Sequence, residues 1–269
     1  MKPRILAALL WVIYAGATAA PERLVSLAPH TTELVYSLEA GHKLLAVSDY
    51  SDYPEPAKSL PRVASSQGVD FEALMRLQPD LILAWQGGNK PQDLQRLQSL
   101  GFKLFLSHPD HPADIAEEVL ELGRLLDKQE LAARLANDYL GRLSQLEQKY
   151  QGKDPVRVLY YMWPSPMMSI GPGAWASKLL NLCHAENVFS DSPSDYPEVT
   201  LEGVVQRRPQ VIVGAIKQPL TSLQDFWQPW LSLLELYPSS VRQVNPDPLH
   251  RFSLRQVDGI ESLCRQIHL

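Results

Sequence analysis

One short pattern occurs twice in this chain, and it constrains the fold more than any other feature of the sequence. Residues 71–83 and 201–213, which lie 130 positions apart, each begin with an acid near the start of a short helical pattern, continue through a proline and end in a run of branched apolar residues. Asp70 and Thr200 directly precede these segments and are suitable N-cap residues. A continuous apolar strand after such a helix is typical of a buried parallel sheet. The repeat therefore predicts two similar α/β lobes.

The openings of the two halves also correspond, and a long helical pattern separates them. Residues 23–27 and 156–161 are both strand-like, and each is followed by a loop with proline and then a helical pattern. Residues 129–150 carry apolar side chains at helical spacing with charges between them, which predicts one helix about 33 Å long. A helix is stiffer than a Gly/Ser-rich linker, so we expect the cleft between the lobes to open only slightly.

The first residues have the features of a secretory signal peptide. Lys2 and Arg4 precede an apolar run that is too short to span a bilayer, and Ala17 and Ala19 suit a cleavage site. A buried N-terminal helix is the alternative. Cleavage without a lipid-bearing cysteine predicts a periplasmic protein that does not insert into the membrane. The predicted segments are a signal peptide (1–19), an N-terminal lobe (20–110), a helical region (111–153) and a C-terminal lobe (154–269).

Composition and motifs exclude several classes of function. The 30 acidic residues outnumber the 25 lysines and arginines, and the resulting pI near 5.8 argues against a nucleic-acid partner. The sequence has no G-x-S-x-G elbow and no P-loop, and its seven histidines are scattered. We therefore expect a monomeric binding protein without catalytic residues, a metal site or a cofactor of its own.

The two cysteines, Cys183 and Cys264, are too few for a zinc ribbon or a disulfide-rich miniprotein. In an oxidising compartment we expect them to form one disulfide that closes a loop of about 80 residues. Two unpaired buried thiols are the alternative.

Aromatic residues near turns are the candidates for ligand contact. Tyr50 lies in a polar loop, and Trp85 follows a predicted strand at the end where open α/β sheets bind ligands. Trp163 ends the opening strand of the second lobe, and Tyr196 precedes the second repeat helix. Together across a cleft they would suit a large, flat, partly apolar ligand. For any one of them, ordinary packing is the alternative.

Glu72 and Glu202 hold the same place in the two repeats, in the first turn of a helix. The helix dipole alone would favour an acid there. The functional hypothesis is that two symmetric exposed carboxylates dock onto arginines of a two-fold symmetric partner. A glycoside hydrolase would need its two acids within about 10 Å of each other. We expect Glu72 and Glu202, on separate lobes, to lie farther apart than this limit.

The sequence also resembles the periplasmic vitamin B12 (cobalamin) binding proteins of ABC importers. The resemblance is carried by residues 48–54, the pair 67–68, the Glu72 helix and residues 79–89. It covers the chain after the signal peptide and is strongest over 47–101 and 182–213. It implies a class III periplasmic binding protein of the helical-backbone metal-receptor superfamily, with two Rossmann-like lobes joined by one long helix.

The resemblance further implies a site, a cargo and a partner. The cargo would be cobalamin, which carries its own cobalt, and the partner an inner-membrane ABC permease dimer that docks on Glu72 and Glu202. The family's disulfide falls at Cys183 and Cys264. Where the family has tryptophans this chain has Ser66 and Tyr196. The predicted ligand contacts are Tyr50, Trp85, Trp163, Tyr196 and a late loop made of Asp247, Pro248, Leu249, His250 and Arg251.

Haem or a ferric siderophore is the alternative cargo. A haem iron needs a Tyr or His ligand, and Tyr50, His30 and His250 are the candidates. A siderophore would need several arginines in the cleft, of which Arg251 is the one we can assign.

Overall fold

The computed structural model of this protein describes residues 19–269, so the predicted signal peptide, apart from Ala19, lies outside the described residues. Within them, the first half of the chain forms a six-stranded sheet in the order β4-β3-β2-β1-β5-β6. All neighbouring strands are parallel except β3 and β4. Its elements are β1 (Leu24–Ser26), α1 (Pro29–Ser37), β2 (Leu44–Ser48), β3 (Arg62–Ser65), β4 (Gly68–Val69), α2 (Phe71–Leu77), β5 (Leu81–Trp85), α3 (Pro91–Ser99) and β6 (Leu104–Ser107).

Two helices, α4 (Asp114–Leu125) and α5 (Gln129–Gln151), lead into the second half. There the strands run in the order β11-β10-β7-β8, with β9 paired to β7, and all pairs are parallel except β7 with β8. The elements are β7 (Val156–Pro164), β8 (Met167–Ser169), α6 (Trp175–Leu182), β9 (Ala185–Asn187), α7 (Leu201–Arg207), β10 (Val211–Ala215), α8 (Leu220–Leu234), β11 (Val241–Val244), α9 (Pro246–His250) and α10 (Gln256–Ile267).

The repeated units fold as the sequence predicts. The side chains of Asp70 and Thr200 each accept a hydrogen bond from the backbone N–H three residues on, at 2.9 and 3.1 Å. Both helices then end in a left-handed residue, Gln78 or Arg208, that directly precedes the proline. The helices stop there because a residue before proline avoids the right-handed helical conformation.

The long helix is confirmed, and it joins the lobes through a shared core. Leu24 of β1, Tyr139 of α5 and Val158 of β7 belong to one contiguous cluster of buried residues. The predicted disulfide is also confirmed: Cys183, at the end of α6, is bonded to Cys264 of α10. Among residues 19–269, no helix is both long enough and apolar enough to cross a membrane.

Candidate ligand-binding cleft

The candidate cleft is the region between the carboxyl ends of the two sheets. Trp85 ends β5 of the first sheet, and Trp163 lies near the end of β7 in the second. Phe252, which follows α9, contacts the Trp85 ring across this gap, with 5.4 Å between ring centroids. The carboxyl edge is the usual ligand site of an open parallel sheet, because the chain leaves the strands there in loops that can vary freely.

Tyr50 is the most exposed aromatic side chain of the cleft, with 77% of its surface accessible. Its backbone is left-handed, with φ of 61°, a conformation that is uncommon for a bulky residue. Buried hydroxyls hold the loop in this form: Ser51 Oγ lies 3.0 Å from Ser48 Oγ and accepts a hydrogen bond from Thr32 Oγ1 at 3.1 Å. The Tyr50 phenol is therefore exposed to solvent on a loop that buried hydrogen bonds hold in place.

Trp85 is half-buried, and its position is determined by the turn that follows β5. Asn89 Oδ1 accepts a hydrogen bond from the Trp85 backbone N–H at 2.7 Å, and Asn89 Nδ2 donates to the Leu27 carbonyl at 2.9 Å. The indole lies over Gly87 and Gly88, so closely that a Cβ on Gly88 would overlap the ring. The glycines allow the indole to lie flat against the turn.

His30, the first of the three candidate haem ligands, is buried beneath Trp85. The two rings meet edge to face, 5.4 Å apart. Ser107 Oγ lies 2.8 Å from His30 Nε2 and donates to the Glu118 carboxylate at 2.8 Å, so the imidazole donates to Ser107. Burial lowers the pKa of His30 to about 3 and raises the pKa of Glu118. The imidazole is thus neutral and already occupied.

The second lobe contributes a mostly apolar cavity of about 650 Å³. Trp163, which is 59% exposed, lies on its rim. His250 also lines it, but its Nε2 is 2.9 Å from the Tyr160 hydroxyl and burial lowers its pKa to about 4. The lining residues are Met162, Trp163, Pro164, Ala215, Ile216, Lys217, Gln218, Pro246 and His250.

Tyr196 is not one of the residues that line this cavity. Its side chain is 52% exposed, and it acts on the buried Tyr160, whose pKa is raised first by burial and further by the neighbouring Tyr196. Ligand contact by Tyr196 stays a prediction.

The predicted loop 247–251 requires correction. Residues Pro246–His250 form a short helix, α9, whose N-cap Asn245 accepts a hydrogen bond from the Asp247 backbone N–H at 3.0 Å. The Leu249 side chain is fully buried in the core, and ligand contact by this residue stays a prediction. Pro248 lies in a different, smaller pocket beside Asn245. A helical turn directs successive side chains to different sides, and only some of this segment can reach one ligand.

Arg251 is occupied by carboxylates of the first lobe. Its Nη1 donates to Asp52 Oδ1 at 2.6 Å and to Glu33 Oε1 at 3.1 Å, and its side chain is only 11% exposed. Partial burial would raise the pKa of Asp52, but the hydrogen bond and charge of Arg251 outweigh burial and lower it. Asp247, also a predicted contact, pairs with Lys217 at 2.9 Å. Direct ligand contact by Arg251 stays a prediction.

Sequence reasoning missed Glu33 and Phe252. Glu33 is bonded to the predicted ligand contact Arg251, and Phe252 packs on the predicted ligand contact Trp85. Glu33 lies in α1 and is hydrogen-bonded to residues 218 to 222 positions away in sequence. An acid in a Thr-Thr-Glu-Leu segment has no local feature that distinguishes it from a solvated helix residue. Only the long-range pairing identifies it.

Glu72 and Glu202 are both exposed in the first turns of α2 and α7. Glu72 approaches Arg76 at 3.8 Å, a weak pair on the same helix face. The two carboxylates occupy equivalent places on the two lobes.

Comparisons with known proteins agree with this architecture. A periplasmic binding protein family model matches residues 24–228. The vitamin B12-binding protein of Vibrio cholerae is 35% identical over 249 residues, spanning 92% of this chain and 90% of that protein, and the one from Yersinia pestis is 37% identical over 266 residues, spanning 98% and 93%.

Solved structures give the same result. The crystal structure of the periplasmic vitamin B12 binding protein BtuF of Vibrio cholerae superposes with a TM-score of 0.85 at 35% identity, covering 93% of this chain and 97% of that one. The periplasmic haem binding protein HutB of Vibrio cholerae shares the fold at 19% identity, with a TM-score of 0.78 over 92% and 99% of the two chains. The chain therefore belongs to the periplasmic binding protein family, with vitamin B12-binding proteins among its relatives.

Proposed function

We propose that this protein captures cobalamin in the cleft and delivers it to an ABC transporter in the inner membrane, acting by binding rather than by catalysis. The observation that carries the proposal is the set of strongly exposed aromatic side chains in a chain 35% identical to vitamin B12-binding proteins: Tyr50 and Trp163 near strand ends, and Tyr196 in the loop before α7. Exposed aromatic rings at the mouth of a cleft gain free energy when a flat apolar surface covers them.

Binding would combine the two faces of the cleft. The first lobe offers Tyr50 and Trp85, and the second offers Trp163 at the rim of the apolar cavity. The corrin ring has extended apolar faces and amide side chains at its edge, which suit such a site with polar groups around it. Burial of a ligand of this size in a largely preformed cleft supports nanomolar affinity, about −12 kcal/mol.

Titration calorimetry of residues 20–269 with cyanocobalamin tests the ligand. We expect one site per chain with a submicromolar dissociation constant. Tyr50→Ala and Trp163→Ala should each weaken binding by about tenfold or more, because each removes an aromatic contact. Tyr237→Ala is the matched control, because Tyr237 is equally exposed but precedes β11, at the opposite edge of the sheet. A parent protein that gives no heat at several temperatures would reject cobalamin.

Haem is less well supported as cargo. Two of its three candidate ligands, His30 and His250, have their Nε2 atoms engaged by Ser107 and Tyr160. Tyr50 is the exposed one of the three candidates, and a tyrosine oxygen is an established type of haem-iron ligand. A haem titration followed by absorbance decides the question: a Soret shift lost in Tyr50→Phe would support haem.

We infer that Glu72 and Glu202 dock the protein onto arginines of the permease dimer. The support is their exposure and their equivalent placement on the two lobes, which suits a partner with two-fold symmetry. Such exposed charges act mainly on encounter and orientation, so docking should weaken as salt rises.

The docking proposal is tested with the double variant Glu72→Ala, Glu202→Ala. Cobalamin affinity should be unchanged while association with the transporter is lost in a pull-down or by light scattering. The double variant Glu117→Ala, Glu130→Ala removes the same charge from exposed first-turn acids of α4 and α5 and should associate normally. Weaker cobalamin binding with unchanged association would reject the assignment.

Export completes the proposal. Cleavage after Ala19 would release the mature chain into the periplasm, where the disulfide between Cys183 and Cys264 can form. The intact mass of the protein purified from the periplasm tests the cleavage site.

A further inference from the structure

A five-residue segment between α9 and α10 contacts the first lobe through its side chains. These residues, Arg251 to Arg255, are called the strap here. Three alternate side chains, those of Arg251, Ser253 and Arg255, all point to Glu33 of α1. The side chain between the first two, Phe252, packs on the aromatic residues of the cleft floor. The segment is bent, with the Ser253 backbone N–H donating to the Arg251 carbonyl at 2.8 Å, and the three polar side chains meet at one carboxylate.

Glu33 is a fully partnered buried carboxylate. Its side chain is 2% exposed. Oε1 accepts from Arg251 Nη1 at 3.1 Å and Arg255 Nη2 at 2.6 Å, and Oε2 accepts from Ser253 Oγ at 2.6 Å and Arg255 Nε at 3.1 Å. A buried carboxylate is costly unless its oxygens are satisfied, and here all four bonds come from the strap. Movement of the strap away from α1 would leave this charge unpaired.

The Phe252 side chain of the strap is equally engaged. The Phe252 ring lies 5.2 Å from the His30 ring and 5.4 Å from the Trp85 ring in the first lobe, and 4.3 Å from the Trp175 ring in the second. Phe252 therefore contacts aromatic residues of both lobes at once. Its position and that of the Trp85 indole depend on each other.

Both sets of strap contacts lead to candidate ligand contacts. Arg251 bonds to Asp52, two residues from Tyr50, and Phe252 packs on Trp85. We propose that Glu33 is a positioning residue: it anchors the strap to the first lobe, and so determines the cleft width and the placement of Tyr50 and Trp85 before ligand arrives. The effect on ligand capture rests on the proposed function, whereas the effect on cleft width does not. Preorganisation of this kind raises affinity by reducing the ordering that binding requires.

The test is a distance measurement between the lobes with and without the anchor. Spin labels on Gln98→Cys in α3 and Gln228→Cys in α8 occupy exposed sites on the two lobes, and the native cysteines are bonded to each other. Pulsed electron resonance on the labelled mature protein gives the distribution of distances. Without ligand we expect a narrow distribution in the parent and a distribution at least about twice as broad in Glu33→Gln, because the strap has lost its charged acceptor.

Arg142→Gln is the matched control. This substitution removes the ion pair between Arg142 Nη2 of α5 and Asp258 Oδ1 of α10, which are 2.6 Å apart and lie outside the strap. The distance distribution should stay narrow. A Glu33→Gln distribution as narrow as those of the parent and Arg142→Gln would overturn the proposal. Cyanocobalamin titrations on the same proteins should show about tenfold weaker binding for Glu33→Gln, and unchanged binding for Arg142→Gln.

A second variant covers the case in which Glu33→Gln fails to fold. Arg255→Lys keeps the positive charge of a partly exposed residue but cannot form the two-pronged contact with Glu33. It should broaden the distribution less than Glu33→Gln but more than Arg142→Gln, and no broadening would count against the strap. Because the distances need no ligand, a parent that fails to bind cyanocobalamin would reject the proposed cargo, and the distances would still decide on the strap.

Discussion

At the scale of residues, the cleft combines large aromatic rings with small neighbours that allow them to lie flat. Trp85 lies over Gly87 and Gly88, and Tyr50 stands on a loop tied by the hydroxyls of Ser48 and Ser51. The aromatic residues would supply contact area to a ligand. The small and hydroxylated residues determine where that area is presented.

Gly88→Ala should displace the Trp85 indole, because the added methyl group would occupy space that the ring fills. We expect cobalamin affinity to fall by about tenfold, the scale of losing one well-placed aromatic contact. Calorimetry measures the loss, and the circular dichroism spectrum should be unchanged. Gly141→Ala on α5 is the control, because nothing lies within 4 Å of its added methyl group. Equal affinities for the two variants would contradict this account of Trp85.

His30 predicts a specific pH dependence of stability. Its pKa is lowered to about 3 in the folded protein by burial, against about 6.5 in the unfolded chain. Between pH 6.5 and pH 3 the unfolded state binds more protons than the folded state. The free energy of unfolding is therefore not reduced by His30 above pH 6.5, and it falls as the pH is lowered through this range. The slope is about 1.4 kcal/mol per pH unit for a full proton.

Urea unfolding of the parent and of His30→Gln between about pH 7 and pH 4 measures this effect. The raised pKa of Glu118 acts in the opposite direction, since a folded state that holds a proton more tightly gains stability as pH falls. The difference between the two proteins isolates the histidine: the parent should lose more stability than the variant. Parallel pH profiles would refute a buried neutral His30.

At the scale of elements, the two repeat helices depend on their N-caps. Helices of seven residues are marginal by themselves, so one capping bond matters. Asp70→Ala and Thr200→Ala should each lower the free energy of unfolding by about 1 kcal/mol, measured by urea unfolding. They should also weaken transporter association, because Glu72 and Glu202 lie in the first turns that would fray. Lys128→Ala replaces an N-cap residue without a side-chain capping bond and should cost less; an equal cost would contradict the capping argument.

The segment after β11 shows how an element can be misassigned. The resemblance implies a loop over residues 247–251, yet a proline in the first turn and an Asn N-cap begin a helix here. The consequence for the site is substantial: the helix buries Leu249 and directs His250 to the cavity.

At the scale of the whole molecule, the two lobes act as one body with a shared core. The buried cluster runs from the first sheet through α5 to the second sheet, and the strap joins the lobes on the cleft side. Two independent connections oppose lobe rotation. We therefore expect the protein to bind ligand with little change of shape, as the long helix also predicts.

The disulfide stabilises this body without shaping the cleft. Cys183→Ser with Cys264→Ser opens a link that spans 81 residues of sequence, and chain entropy predicts a loss of about 4 kcal/mol in unfolding free energy. Urea unfolding measures the loss. Cobalamin affinity should be unchanged, because α6 and α10 are joined outside the cleft. A double variant as stable as the parent would contradict the prediction.

Much of the architecture follows from local patterns. The repeat, the helical period of residues 129–150 and the residues that begin and end helices identify two α/β lobes and their spacer, because these signals act over a few residues. The aromatic candidates at strand ends follow from the same reasoning. The contacts of the strap cannot be predicted from local patterns, because Glu33 is bonded to residues more than 200 positions away in sequence.

The two-lobed fold, the long helix and the places where aromatic side chains leave the strands follow from periodicity and capping, which are local properties of the chain. The tertiary structure, in contrast, buries Leu249, engages His30 and His250, and brings Arg251 to Glu33 and Asp52 across the lobes. These outcomes depend on which distant groups are brought together when the core closes. Burial then requires each charge or imidazole to find a partner, and no local pattern specifies which partner that is.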